Sequence, residues 1–438
     1  MNAALPAQGR LQLRFSATRL IALSVYWLAI NYLWQGMGAL ILPRLIERFV
    51  ASAHKGVALT GISVLGAVVA ILVQPAAGAL SDRVTLRWGR RRPFILLGSL
   101  GDAACLFGLT VAGSYGALLI PYCALQICSN TAEGAYQGML PDQVPEDQRG
   151  RAAGYYGLAV FVGTALGFLL TGRLIALGHI RLALLVVAAV MLLAMAVTVV
   201  LVPDGPARGD VPSRREAWLG IFSFRPREHP DFAWLLGSRL LALMGITGLT
   251  DFAQFYIKST FYPGHGSHLA NQAAGATSVL LAVVVLCAVV VTLPAARLSQ
   301  RVGRRVLVRV AAWLGAAGTL LLIPATSLVW VYVVGILVGS AFGILLSVDW
   351  AFVADLAPKG QSGRYMGISN LATAGSGILA TVIAGPLLDF GNGLRHNAGY
   401  PMIFGFFAIA LVLGGWLVWK VRPPGAAVSA PTATVASG

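Results

Sequence analysis

Tyr122, Gln126, Asn130, Glu133 and Gln137 recur at spacings of 4, 4, 3 and 4. On a helix those intervals place a phenol, three amides and a carboxyl on one face. Such a face can bind hydroxyl groups, and its carboxyl can carry a proton. Trp27, Asn31, Gln35 and Gly38 form a second face of the same kind, with Trp34 at its edge. An indole packs against the C–H surface of a sugar ring while amides and carboxylates bind its hydroxyls, the usual division of labour in a small-molecule site. Two other readings stay open. The first face could be a hydrogen-bonded seam between helices, and the tryptophans could be interfacial anchors.

Four more ionisable residues, Asp102, Arg239, Asp251 and Asp349, stand inside long apolar runs. Each costs at least about 2.5–3.5 kcal/mol to insert into a bilayer, so each is expected to face protein or a water-filled cavity. Glu133 is the leading proton-coupling group, because a carboxyl enclosed by helix can take up a proton on one side and release it on the other. Asp349 and Asp102 are the alternatives, although Asp102 could simply be a buried protonated acid. Thr247, Thr250, Asp251, Gln254 and Lys258 cluster in three turns, where Asp251 and Lys258 are spaced to pair as an outer gate or cavity wall. Asn370, Thr373 and Thr381 surround Gly377. The candidate solute-binding residues are therefore Trp27, Asn31, Gln35, Gln126, Asn130, Gln137, Asp251, Gln254 and Asn370. No metal-ligand spacing occurs, and the four cysteines form no CxxC pair.

The elements that position these residues must lie in a membrane. Only 11% of 438 residues are charged, 57% are hydrophobic and mean hydropathy is +0.77, against roughly 25% charged in soluble domains. Apolar runs predict twelve spans, near 20–43, 57–80, 93–113, 116–139, 152–172, 182–202, 233–258, 273–296, 306–324, 328–352, 365–388 and 400–419. Pro324 and Ser327 supply the only turn within the uncharged stretch from Val310 to Val348. With both termini in the cytoplasm, inner segments carry 24 Lys and Arg and outer ones 7, the bias expected of a polytopic protein in a plasma membrane or bacterial inner membrane. Basic residues gathered between apolar runs account for the net charge of +16 without nucleic acid. The expected units are 1–202, a cytoplasmic linker 203–232, 233–422, and a disordered tail 423–438.

Short signatures repeat across the linker. Leu140–Gly154 aligns with Val353–Gly367 at six of fifteen positions, including Asp142 with Asp355 and Arg151 with Arg364. Leu80-Ser-Asp-Arg83, then Gly89-Arg-Arg91, recurs as Leu298-Ser-Gln-Arg301, then Gly303-Arg-Arg305. Two parallel six-helix units are the architecture of a carrier that rocks about a midplane cavity. The expected gating residues are Asp82, Arg83, Gly89, Arg90, Arg91, Asp142 and Arg151. In the second unit, where Gln300 replaces the first aspartate, a weaker latch should pair Asp355 with Arg301, Arg305 or Arg364. Charges serving only to orient the loops would explain the arginines but not the repeated aspartates.

Gly78-Ala-Leu-Ser-Asp-Arg83, with Trp88-Gly-Arg-Arg-Arg-Pro-Phe94, resembles the loop between the second and third helices of the major facilitator superfamily. The run from Arg83 to Phe94, and the segment Ser129–Gln143, are similar to the sucrose:proton and glycoside symporter branch. That resemblance implies an all-α fold of twelve membrane helices in two repeats, with proton-coupled transport of a small polar solute of the sugar or glycoside class, no cofactor beyond the proton, and a monomer in the lipid bilayer. Two departures stand against the plant-type sucrose carriers. Gln126 occupies the position of their helix-four aspartate, and no arginine lies between Ala152 and Gly172. An exporter of amphipathic or drug-like compounds on the same fold is the competing expectation. An enzyme or ATP-driven pump lacks any supporting motif.

Overall fold

The computed structural model describes residues 16–145, 148–205, 226–356 and 362–422. Most of the expected linker and all of the expected tail lie outside these residues. Twelve long helices run through them: α1 (Ala17–Phe49), α2 (Lys55–Ser81), α3 (Arg92–Val111), α4 (Tyr115–Gln137), α5 (Arg149–Ala176), α6 (Ile180–Leu201), α7 (Pro230–Phe261), α8 (Ser267–Val302), α9 (Arg304–Leu321), α10 (Leu328–Leu356), α11 (Ser362–Leu394) and α12 (Gly399–Leu417). Ten are long and apolar enough to cross a membrane. The other two are α4, diluted by its polar stripe, and α9, which carries Arg304, Arg305 and Arg309.

Helix ends follow local chemistry. Ser16, Ser114 and Ser327 cap α1, α4 and α10 by accepting the N–H of Arg19 (3.3 Å), Ala117 (3.1 Å) and Trp330 (3.2 Å). The cap at Ser327 places the turn between α9 and α10 where the sequence had one to offer. Pro93 and Pro230 open α3 and α7, where a missing N–H costs nothing. Several helices outrun their expected spans; α8 has 36 residues and α1 continues through Arg44, Glu47 and Arg48 to Phe49. Charged residues end the hydrocarbon crossing but not the helix.

Packing repeats with a shift of six. In the first half α1 packs on α5 and α6, α2 on α4, and α3 on α4 and α6; in the second, α7 packs on α11 and α12, α8 on α10, and α9 on α10 and α12. The halves meet through α2 with α11 and α5 with α8, two pairs exchanged by the same shift. The two repeats thus build a pseudo-symmetric shell around a central cleft.

The described hydrogen bonds between halves lie at the end away from α1's start, here the distal end. Arg44 Nε and Nη2 donate to Asn271 Oδ1 (3.1 and 3.0 Å), Lys55 Nζ to Ser259 Oγ (3.2 Å), and Thr60 Oγ1 to the Thr381 carbonyl (2.6 Å). Asp389 Oδ1 and Oδ2 accept the backbone N–H groups of Gly56 (2.9 Å) and Val57 (2.7 Å). Gly56 and Gly385 touch backbone to backbone there, and a Cβ on either would overlap the other.

Candidate functional site

α4 presents Glu133 toward α2, where Glu133 Oε1 accepts from Gln74 Nε2 (2.9 Å) and from Gln137 Nε2 (3.1 Å). Two neutral amide donors hold the carboxyl in place. Beside it, Trp27 of α1 stacks on Tyr136 (5.9 Å between centroids, 22°), and Tyr136 stacks on Tyr156 of α5 (5.9 Å, 17°). The Tyr136 hydroxyl is spent on the Leu23 carbonyl and Tyr26 is hydrogen-bonded with Ser99 Oγ (2.8 Å). Asn31 Nδ2 donates to the Trp27 carbonyl (2.8 Å), leaving its oxygen free to accept. Amide, carboxyl and stacked aromatic surface therefore adjoin on α1, α4 and α5.

The rest of the α4 stripe divides. Gln137 is exposed, whereas Gln126 and Asn130 are buried and bonded to one another and to their own helix. Gln126 Nε2 donates to Tyr122 Oη (2.9 Å), and Asn130 Nδ2 donates to the side-chain oxygen (3.0 Å) and carbonyl (2.8 Å) of Gln126. All of these bonds lie within α4, so none of the three joins it to a neighbouring helix, and Tyr122 and Gln126 still border a cavity of about 220 Å³.

Asp251 of α7 borders that cavity and a second one of about 190 Å³, reached by Gln35 of α1. It does not pair with Lys258, as its spacing had suggested. Lys258 Nζ instead donates to the carbonyls of Tyr262 (2.7 Å) and Gly264 (2.9 Å), because the helix ends three residues beyond it and leaves carbonyls within reach. Gln254, expected to bind solute, is fully buried and lines neither cavity. The side chain of Asn370 lies outside the described residues.

Asp349 of α10 forms an ion pair with Arg239 of α7, both nearly inaccessible, and Arg239 also donates to Thr373 Oγ1 of α11 (2.9 and 3.2 Å). The pair ties three helices of the second half together. Asp102 of α3 is 0% exposed, and neither carboxylate oxygen has a hydrogen-bond partner among the described residues.

At the other end of the first half, Arg91 donates from Nε to Asp142 (2.8 Å) and from Nη2 to Asp82 (2.6 Å), while Arg90 pairs with Asp142 (2.5 Å). Asp204, which sequence assigned to the linker, accepts the N–H groups of Arg91 (2.7 Å) and Arg92 (3.0 Å). Gly89 adopts φ +123°, and a Cβ there would strike the Asp204 carboxylate. Among the described residues Arg83 and Arg151 take no part in this cluster; the Arg151 guanidinium lies over the Tyr155 ring at 5.9 Å. In the second half Asp355 pairs with Arg304 (2.7 Å) rather than Arg301 or Arg305. Arg305 donates to the carbonyls of Trp419 (3.2 Å) and Val421 (2.9 Å). The Arg364 side chain lies outside the described residues.

Two six-helix repeats around a cleft that Gln35, Tyr122, Gln126 and Asp251 border have the architecture of a polytopic membrane transporter. The chain belongs to the Major Facilitator Superfamily, whose sequence profile matches residues 20–380 and 266–436. It is 30% identical over 174 residues to the general alpha-glucoside permease of Schizosaccharomyces pombe, covering 35% of this chain and 30% of that one. It is also 30% identical over 125 residues to the sucrose transport protein SUC3 of Arabidopsis thaliana, covering 24% and 21%. The chain thus spans less than a third of either relative in these matches. Among solved structures it superposes on the nucleoside transporter NupG with TM-score 0.70 at 14% identity, covering 93% of this chain and 100% of that one. A D-xylose-proton symporter superposes with TM-score 0.68 at 15% identity, covering 93% and 98%. These last two likenesses concern the fold.

Proposed function

We propose that the chain is a proton-coupled symporter of a small polar solute, a sugar or glycoside, working by alternating access with Glu133 as the coupling carboxyl. The observation that carries this reading is Glu133 held by Gln74 and Gln137 beside the Trp27, Tyr136 and Tyr156 stack. A proton arriving on Glu133 changes the hydrogen bonds that both amides make, so protonation and the geometry of the solute site are linked. The relatives named for α-glucosides and sucrose support the solute class. The distribution of 24 inner against 7 outer Lys and Arg supports cytoplasmic termini, so the bonded distal end is the outer one and the state is closed outward. Asp349, already bound to Arg239, is better suited to bracing its half than to carrying protons.

Uptake into proteoliposomes tests this directly. Accumulation of a sugar should rise when the outside is made acidic and vanish when the gradient is collapsed; a sugar panel giving no gradient-dependent uptake would refute the reading.

A further inference from the structure

The cavity of about 190 Å³ has an unusual division of character. Its walls are aliphatic and aromatic, built by Leu280, Leu281 and Val284 of α8, Val334 and Val338 of α10, and Phe404 of α12. Polar groups enter it from α1, α5 and α7: Gln35, Thr164, Thr247, Thr250 and Asp251. Asp251 is also shared with the cavity that Tyr122 and Gln126 border. A sugar ring placed against the α8 and α10 wall would bury hydroxyls that find no donor or acceptor there.

We propose that this cavity is a second compartment of the solute site, which takes the apolar group of an amphipathic glycoside while its sugar remains against the α1 and α4 faces. The inference rests on the sugar reading above and narrows it to glycosides with an apolar aglycone. Volume agrees with that occupant, since an apolar cavity of about 150 Å³ binds benzene and stays otherwise dry. A phenyl ring or short alkyl chain fits, and a free monosaccharide leaves the compartment empty. Asp251, Thr250 and Gln35 stand where the glycosidic oxygen and the nearest hydroxyls would lie. Ala253 of α7, buried and also lining this cavity, is the position at which a larger side chain would fill the space.

Calorimetric titration of the purified full-length protein with methyl α-D-glucoside and phenyl α-D-glucoside separates the possibilities. The phenyl compound should bind about tenfold more tightly or better. Ala253→Leu should bring that ratio toward one, and Leu281→Ala should shift the preference to a naphthyl glucoside. The second variant enlarges the space, so the compartment is tested even where the first fails to fold. A wild-type ratio near one, or a ratio unmoved by both variants, overturns the compartment while leaving the sugar reading standing. Failure to bind either glucoside removes the sugar reading itself. Phenol binding as tightly as phenyl glucoside would mean an apolar occupant without a sugar, and would overturn the proposal in favour of the exporter.

Discussion

Asp389 of α11 caps Gly56 of α2 across the boundary between the two halves, at 2.9 Å, and takes the next N–H from Val57 at 2.7 Å. A helix N-terminus exposes unsatisfied N–H groups and a partial positive charge, so a carboxylate there is both cap and counter-charge. Because donor and acceptor belong to different halves, the cap exists only while the distal end is shut. Asp389→Ala should cost this closure about 1–2 kcal/mol. A cysteine at Thr250 should then label faster from the distal face, and an unchanged rate would show that other contacts hold the gate.

Glu133→Gln keeps the size of the side chain and one acceptor oxygen while abolishing titration. It should retain solute binding and counterflow yet lose accumulation driven by a pH gradient. Wild-type accumulation in this variant would transfer the search to Asp102→Asn and then Asp349→Asn.

Replacing Gln35 by Leu should weaken solute binding by about 1–3 kcal/mol, since it strips a hydrogen-bonding group from the cavity. Trp27→Ala should weaken it through lost stacking. Asn130→Leu should cost binding less, because Asn130 is committed to Gln126. Equal losses from Gln35→Leu and Asn130→Leu, measured by titration, would contradict this ordering.

Arg239 and Asp349 are buried together, so removing one charge alone is the expensive change. Asp349→Ala should destabilise the protein by about 3–5 kcal/mol, whereas Arg239→Met with Asp349→Leu should recover most of that. Thermal melting of the two variants checks it. A double variant no more stable than the single one would show that the pair supplies net stability of its own.

Much of this was readable because membrane helices advertise themselves by length, and a 3.6-residue period brings Glu133 and Gln137 to one face without tertiary information. Partners from elsewhere in the chain were not readable. Gln74 is one amide in an apolar helix, 59 residues from the Glu133 it binds, with no periodicity to distinguish it. Arg239 and Asp349 were each recognisable as costly, but nothing in spacing joins residues on α7 and α10. The choice of Arg304 over Arg305 for Asp355 turns on rotation about the α9 axis, and Arg301 lies at the end of a different helix, α8, on the far side of Gly303. Asp389 escaped notice because its ligands are backbone groups, which carry no signature in side-chain sequence.

The Arg91 cluster has a consequence for how the protein is made. Its acceptors, Ser81, Asp82, Ala135, Asp142 and Asp204, all precede the first residue of α7. Asp204, the last to emerge from the ribosome, closes the set by capping the start of α3 just as the sixth helix finishes. The amino-terminal bundle can therefore complete its own polar wiring during synthesis, before any carboxy-terminal helix enters the bilayer. Distal closure, which needs Ser259, Asn271, Thr381 and Asp389, comes last.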